Sequence, residues 1–329
     1  MKVLFIRFSS IGDIVLTFPV VSSVKEKYPN AHISFLSKDS FIELLSAQPD
    51  IDYSHAFNGS ILKTRKWIRE QKFDLIIDLH KNIRSLLVSA LNGKSIFRFN
   101  KLNFRKKIYT SLKIDRLPEK HIVDRYFDAL KTLELNKESK RSSFIIPVKS
   151  EIDLSNVFDQ VPDKFVCIAV GAKFNTKKIP LPLLEQIVKQ IHVPIALLGD
   201  KNDVEAGNQL KEIFGHKTIV NCAGKYTILQ SGSILKQAEK LITGDTGLMH
   251  IASFFDTQII SIWGNTSPKF GMFPYRQNKG NTDVMFEKQG LKCRPCSKIG
   301  YDSCPRGHFK CMDHDADQIA SKVNASISI

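Results

Sequence analysis

Residues 245–250, D-T-G-L-M-H, stand between a strand-like run (L-I-T, 241–243) and an apolar helical run. Asp245, Thr246 and Gly247 therefore fall where a strand ends and a helix begins. Unpaired backbone N–H groups and the helix dipole make such a place a ready anion site. The same residues also suit an ordinary capped helix, because Asp and Thr are good N-caps. Asp13, in S-S-I-G-D, has two comparable readings: a first-turn acid favoured by the dipole, or a carboxylate displayed at the carboxyl end of the first strand, where open α/β sheets keep their ligands. His80, Asn82 and Arg84 follow another strand-like run, F-D-L-I-I-D-L.

Two further clusters could carry chemistry. Cys293 and Cys296 form C-R-P-C, with Cys304 and Cys311 following. In a reducing compartment that spacing fits four thiolates around a structural zinc, with His308 able to replace one; free or reversibly oxidised thiols are the alternative. Cys167 and Cys222 lie in apolar runs and read as inert core residues. Residues 94–120 hold nine Lys or Arg (Lys94, Arg98, Lys101, Arg105, Lys106, Lys107, Lys113, Arg116, Lys120) against Asp115 and Glu119, interleaved with Phe97, Phe99, Phe104 and Tyr109. That mixture suits an anionic surface: nucleic acid, or the phosphates and carboxylates of an acidic glycolipid. A plain solvated basic face is the bland alternative.

The elements that position these residues alternate. Residues 2–8 read as a strand, followed by a helix ending near Pro29; 32–37 as a strand, 39–47 and 61–71 as helices, and 73–79 as a strand leading into a helix. After a helix over 121–135 come a polar stretch and a strand-like F-I-I-P-V, with a domain boundary near residue 150. The alternation then restarts: strands at 165–172 and 193–199, a short strand T-I-V-N, helices at 181–191 and after Thr227, and Q-I-I-S-I-W-G as the partner strand of 241–243. A final helix spans 315–326. This is a doubly wound α/β pattern in two halves, 1–150 and 151–329, with a cleft expected between them. The first turn lacks G-x-G-x-x-G, so no dinucleotide fingerprint is present.

The chain has 329 residues, 43% of them hydrophobic and 25% charged, as in an ordinary globular protein large enough for two domains. The N-terminus is too short and too charged for a signal peptide, and no apolar run reaches the length of a membrane span, so a cytoplasmic location is expected. The 48 Lys+Arg against 33 Asp+Glu give +15, which implies an anionic partner without choosing one.

Taken in order, V-L-F-I-R-F-S-S-I-G-D-I-V-L-T-F-P, F-D-L-I-I-D-L-H-K-N-I-R-S, D-T-G-L-M-H and W-G-N-T-S-P-K-F-G-M-F-P-Y resemble the signatures of the ADP-heptose:lipopolysaccharide heptosyltransferases, glycosyltransferase family 9. The resemblance covers nearly the whole chain. It implies the GT-B architecture, two Rossmann-like domains facing across a cleft, and inverting sugar transfer without a required metal. It implies ADP-heptose as the nucleotide-sugar donor. The acceptor would be an acidic glycolipid of the lipopolysaccharide type at the inner membrane face, where residues 94–120 would meet acceptor and lipid, with the enzyme cytoplasmic or peripheral on that face.

By the same resemblance Asp13 is the general base and Lys177 the basic residue beside the leaving diphosphate. Asp203 or Glu205 binds the ribose, with spacing favouring Asp203, and backbone near Tyr226 holds the base. Asp245 holds the donor sugar, and Thr246 and Gly247 the diphosphate, with Leu248 completing the motif. His250 is either a donor contact or a buried structural residue. Ile179 departs from the family, which commonly has Trp before the proline matched by Pro180.

Two other function classes compete. A basic nucleic-acid-binding protein with a zinc knuckle explains the charge and cysteines, yet leaves the paired α/β halves and D-T-G-L-M-H unexplained, so no nucleic-acid partner is expected. A catalytically silent nucleotide-sugar binder would not need both Asp13 and Lys177. A metal-dependent transferase would need an acidic pair on a cation; Asp50-Ile51-Asp52 offers only a common tripeptide.

Overall fold

K-V-L-F-I at the start of the chain is buried on both faces, which suits the interior of a parallel sheet. In the computed structural model, which describes residues 1–90, 95–138, 144–277 and 282–325, this strand is β1 (Lys2–Ile6). Val3, Leu4, Phe5 and Ile6 are all fully buried, each contributing about 1.5–3 kcal/mol by leaving water. Lys94 of the basic segment lies outside the described residues.

The chain continues through α1 (Ile11–Val15), α2 (Phe18–Lys27), β2 (His32–Lys38), α3 (Ile42–Ser46), β3 (Tyr53–Phe57), α4 (Ile61–Gln71), β4 (Leu75–Asp78), α5 (Ile83–Ser89) and β5 (Ser95–Arg98). Their sheet is wholly parallel in the order β3-β2-β1-β4-β5. After β3 the chain returns to the far side of β1, so the order reverses between β1 and β4. Helices α6 (Asn103–Leu112) and α7 (Ile122–Ala129) follow.

The expected strand at 144–148 does not form: those residues are irregular up to a 3₁₀ turn, Val148–Ser150. Pro147 has no N–H to give a ladder, and the Ile145 N–H donates instead to Gln48 Oε1 at 3.0 Å.

The second sheet collects β6 (Val166–Ala169), β7 (Ile195–Leu198), β8 (Ile219–Asn221), β9 (Lys240–Thr243), β10 (Gln258–Trp263) and β11 (Val284–Glu287), all parallel, in the order β11-β10-β9-β6-β7-β8. Here the order reverses between β6 and β9. The helices between are α8 (Leu181–Gln190), α9 (Val204–Ile213), α10 (Ile228–Lys236) and α11 (Gly247–Ala252). Thr227 caps α10 in a reciprocal box with Gln230, Oγ1 accepting from Gln230 N at 3.3 Å and Thr227 N donating to Gln230 Oε1 at 2.9 Å.

The chain folds as two compact units. One comprises Met1–Leu102 with Lys120–Ile145; the other comprises Asn103–Glu119 with the chain from Ile146 onward. Helix α6 thus belongs with the second sheet although it precedes residue 150. The last helix, α12 (Ala316–Asn324), packs on α8 and β10 of the second unit. Its buried positions Ala316, Ile319, Ala320 and Val323 follow helical spacing, and Ala316, Ile319 and Val323 join the same core as Leu184, Ile187 and Val188. Asn324 Nδ2 donates to Gln190 O at 2.9 Å, and Gln190 Nε2 to Asp317 Oδ1 at 2.7 Å.

Candidate active site

In open α/β sheets, ligands gather outside the carboxyl ends of the strands where the strand order reverses. In the second unit that place is the loop after β6 and the loop after β9. Lys177 ends a 3₁₀ turn, Asn175–Lys177, and its Nζ lies 2.7 Å from Asp245 Oδ2. Asp245 Oδ2 also accepts from Thr266 Oγ1 at 3.0 Å, on the loop after β10. Thr246 caps α11, its Oγ1 accepting from Met249 N at 3.3 Å and pairing with Thr243 Oγ1 at 2.8 Å. Asp245, Thr246, Gly247 and Leu248 are all partly open to solvent, whereas His250 is 2% exposed, within the body of α11.

The backbones here touch. A Cβ on Gly244 would stand 2.2 Å from Lys177 O, and one on Gly264 2.9 Å from Thr176 O and 2.6 Å from Met312 Cε. Glycine at both positions lets the loops after β6, β9 and β10 converge.

The Cys-rich tail braces this arrangement. Arg294 Nε donates to Gly264 O at 2.6 Å and Nη2 to Thr266 O at 2.7 Å, while Nη1 pairs with Glu287. Cys296 N donates to Asn265 O at 2.9 Å. Thr176 and Tyr301 exchange backbone and hydroxyl hydrogen bonds, with Tyr301 N on Thr176 Oγ1 at 2.8 Å and Thr176 N on Tyr301 O at 3.1 Å.

The cysteines themselves are all unbridged. Among the described residues no group of three or more His, Cys, Asp or Glu side chains is arranged to hold a metal ion. Arg294 and Tyr301 tie the tail to the loops after β6 and β10, and Cys293 Sγ lies 3.8 Å from His308 Nε2, the residue that the zinc reading of C-R-P-C offers as a substitute ligand. Burial pushes the Cys311 and Cys222 thiols up to about 11 and also holds the Cys167 thiol well above its ordinary range, as expected of inert core sulfurs for the last two.

Along the rest of the second sheet the ribose candidates separate. Asp203 is 4% exposed; its Oδ1 pairs with Lys178 Nζ at 2.7 Å and its Oδ2 accepts from Asp200 N at 3.0 Å. It fills the space over Gly171, where a Cβ would lie 1.8 Å from Oδ2. Glu205 is exposed, its Oε1 accepting from Gln209 Nε2 at 3.0 Å. Tyr226 is half-buried, its hydroxyl donating to Asn156 O at 3.2 Å. Gly224, at φ +70°, lets that loop approach Lys201 within 3.0 Å of a would-be Cβ.

In the first unit the order reverses between β1 and β4, and Asp13 stands after β1. Arg7 Nη2 lies 2.5 Å from Asp13 Oδ1. Asp13 Oδ2 accepts from Ser10 Oγ at 2.8 Å and Ser10 N at 3.2 Å. Burial works to raise the Asp13 pKa, but Arg7 and the Ser10 bonds outweigh it and hold the carboxyl well below the usual range. Arg7 is itself fixed by Ser9 O at 3.0 Å, Leu79 O and the Tyr126 hydroxyl at 3.5 Å. His80, after β4, packs edge-on against Phe8 with ring centroids 5.0 Å apart. Burial, then the charges of Arg7 and Lys101, push its pKa down to about 3. Asn82 caps α5, accepting from Ser85 N at 2.8 Å, and Arg84 is exposed. Asp50 and Asp52 bind no common point: Asp50 accepts from Ser22 Oγ, and Asp52 pairs with Lys25 and the Ile33 N–H.

Sequence reasoning passed over Arg7, Thr266 and Arg294. For Arg7 a signal existed, a cation closing an otherwise apolar strand run; for Arg294 the cysteines on either side drew the eye.

A family model described as glycosyltransferase family 9 (heptosyltransferase) matches residues 61–300, well over half of the chain. The chain belongs to glycosyltransferase family 9. It is a glycosyltransferase, and its relatives are consistent with that. Lipopolysaccharide heptosyltransferase 3 of Escherichia coli is 25% identical over 281 residues, covering 79% of this chain and 82% of that one. Among solved structures, a family 9 glycosyltransferase from Veillonella parvula superposes with a TM-score of 0.78 at 18% identity, covering 98% and 96% of the two chains. The E. coli ADP-heptose lipopolysaccharide heptosyltransferase II superposes at 0.75, also 18% identical, covering 99% and 98%. These likenesses establish the GT-B fold for this family 9 chain.

Proposed function

We propose that this family 9 enzyme transfers a heptose from ADP-heptose to a lipopolysaccharide-type core acceptor, with inversion and without a metal, at the inner face of the cytoplasmic membrane. The observation that carries the reading is the Lys177–Asp245–Thr266 chain at the reversal point of the second sheet, in a chain whose relatives are named heptosyltransferases.

Each residue then has a task. The acceptor hydroxyl oxygen attacks the anomeric carbon while the bond from that carbon to the diphosphate oxygen breaks. Asp13, kept ionised by Arg7, receives the hydroxyl proton as the new bond forms. A carboxylate of such low basicity takes that proton late, once bonding to carbon has made the hydroxyl acidic. Negative charge grows on the departing diphosphate, where Lys177, the Thr246 hydroxyl and the α11 amide groups stabilise it. Asp245 orients Lys177 and accepts from the donor sugar. Glu205, with its open carboxylate, suits the ribose better than the enclosed Asp203, and the Gly224–Tyr226 loop suits the base. One displacement at one carbon inverts its configuration.

Purified enzyme, ADP-heptose and a heptose-deficient lipopolysaccharide core test this directly. ADP release coupled to a mass gain of one heptose on the acceptor, unchanged by EDTA, is the expected result. ADP-heptose that neither reacts nor raises the melting temperature, beside a UDP- or GDP-sugar that does, overturns the donor assignment.

A further inference from the structure

His80 stands on the loop after β4, at the reversal point of the first sheet where Asp13 stands after β1, and no step of the proposed transfer uses it. Its own turn fixes its place. Asp78, fully buried at the end of β4, accepts from His80 N at 3.0 Å, Lys81 N at 2.7 Å and Ser85 Oγ at 2.9 Å. These bonds hold Lys81 at φ +44°, a left-handed conformation that a lysine adopts only where its surroundings enforce it. Behind the imidazole, Phe8 stacks on Phe57 with ring centroids 4.5 Å apart, so the wall that the ring leans on is apolar and rigid.

One edge of the imidazole is shut and the other is open. Nδ1 is buried and has no hydrogen-bond partner, yet the residue is partly open to solvent, so the open edge is the one that carries Nε2. An unpaired acceptor is tolerated in an interior better than an unpaired N–H. That places the proton of the neutral ring on Nε2, which then faces outward as a donor. The neighbours keep the ring neutral. Burial comes first, the charges of Arg7, Lys101 and Lys38 add to it, and Asp13 works the other way. Cations so placed suit the anionic groups of an acceptor. An uncharged N–H among them suits an oxygen that carries no charge.

We infer that His80 Nε2–H donates to a hydroxyl of the acceptor sugar, the one beside the hydroxyl that attacks, and so holds the sugar with its attacking hydroxyl toward Asp13. Donation to the attacking oxygen itself would occupy a lone pair that the bond to carbon needs, so the neighbouring hydroxyl is the better partner. The acceptor class that follows is a sugar with a free hydroxyl next to the position glycosylated. The inference rests on the proposed function and deepens its acceptor half.

The test is a cycle of two changes. Wild type and His80→Phe, which keeps an aromatic ring against Phe8, are each assayed with the core acceptor and with acceptors deoxygenated in turn at each carbon next to the attacking hydroxyl. For one of the deoxy acceptors, kcat/KM should fall about five- to tenfold in the wild type, as it does in His80→Phe on the full acceptor. Combining the two changes should cost hardly more than either alone. KM for ADP-heptose should stay as in the wild type, and His80→Gln, which keeps a neutral N–H donor, should recover most of the loss. Additive losses, unchanged acceptor kinetics in His80→Phe, or a rise in donor KM equal to that for the acceptor overturns the inference. Should His80→Phe fail to fold, full wild-type activity on every deoxy acceptor overturns it as well. Calorimetric binding of the acceptor that weakens in His80→Phe, in an enzyme that transfers no heptose, would leave this inference standing and defeat the functional reading; equal heptose transfer by the two enzymes would do the reverse.

Discussion

Lys177 Nζ and Asp245 Oδ2 lie 2.7 Å apart, so the lysine that would meet the donor diphosphate already holds an acid. A phosphate group arriving there competes with Asp245 for the same ammonium. Asp245→Asn should therefore tighten binding of ADP, which lacks the sugar, while transfer from ADP-heptose falls. Calorimetry on ADP beside turnover assays checks this; weaker ADP binding in the variant would show that Asp245 does not compete with the phosphates.

Lys177→Ala should lower kcat about 10²–10³-fold, the usual effect of removing a group that meets charge developing in the transition state. Its effect on KM should be smaller. A variant that loses affinity and keeps kcat would assign Lys177 to ground-state binding alone.

The Arg7–Asp13 pair predicts a pH dependence. The Asp13 pKa is depressed in the folded state, so its contribution to stability is present above the unfolded carboxylate value, about 3.9, and is lost as pH falls through the folded value. In the native enzyme the acid limb of kcat/KM from Asp13 should lie below the usual carboxylate range. In Arg7→Met the burial that works to raise this pKa is no longer opposed by the guanidinium, and the limb should move toward neutrality. Identical profiles for the two enzymes would remove Asp13 as the base.

Arg294 and Glu287 are nearly enclosed, with side chains 6% and 17% exposed. Removing one partner of such a pair costs about 3–5 kcal/mol. Arg294→Gln should lower the melting temperature and, because Arg294 ties Gly264 and Thr266 beside Asp245, raise KM for the donor more than it lowers kcat. Cys293→Ser should do neither; a fall equal to that of Arg294→Gln would give the sulfur a structural part.

Ile319 is fully buried between α12 and the second sheet. Ile319→Ala should cost about 2–5 kcal/mol in denaturant unfolding. An effect under about 1 kcal/mol would mean that α12 is not part of that core.

Much of the fold could be read because burial writes itself plainly into parallel strands. K-V-L-F-I, V-C-I-A and L-I-T are runs that only a doubly covered sheet accommodates, and Thr227 with Gln230 spells a helix start. F-I-I-P-V misled because its apolar residues look like a strand while Pro147 and the Gln48 amide take the backbone elsewhere. Strands β5 and β11 are edge strands, short and only partly buried, and so leave little pattern. The site divides the same way. Asp245, Thr246 and Gly247 were visible through local capping chemistry. Arg7, 6 residues from Asp13, left a local signature as the cation that closes an apolar strand run. Thr266 and Arg294 act across 21 and 28 to 30 residues, and such contacts have no local signature. Docking of α6 on the second unit is of the same kind: Tyr109 and Lys113 meet residues more than a hundred positions away.

The two glycines under the loops proposed to hold the donor also set rules for anyone seeking to change which sugar is accepted. With backbone atoms 2.2 Å and 2.9 Å from where a side chain would begin, Gly244 and Gly264 leave no room for diversity, and libraries that randomise them will return misfolded clones. Variation is better spent at Leu248, which stands partly open to solvent in the D-T-G-L-M-H motif, while changes at Glu205 and Tyr226 would fall on the nucleotide. At Leu248 the enzyme can exchange selectivity without surrendering its frame.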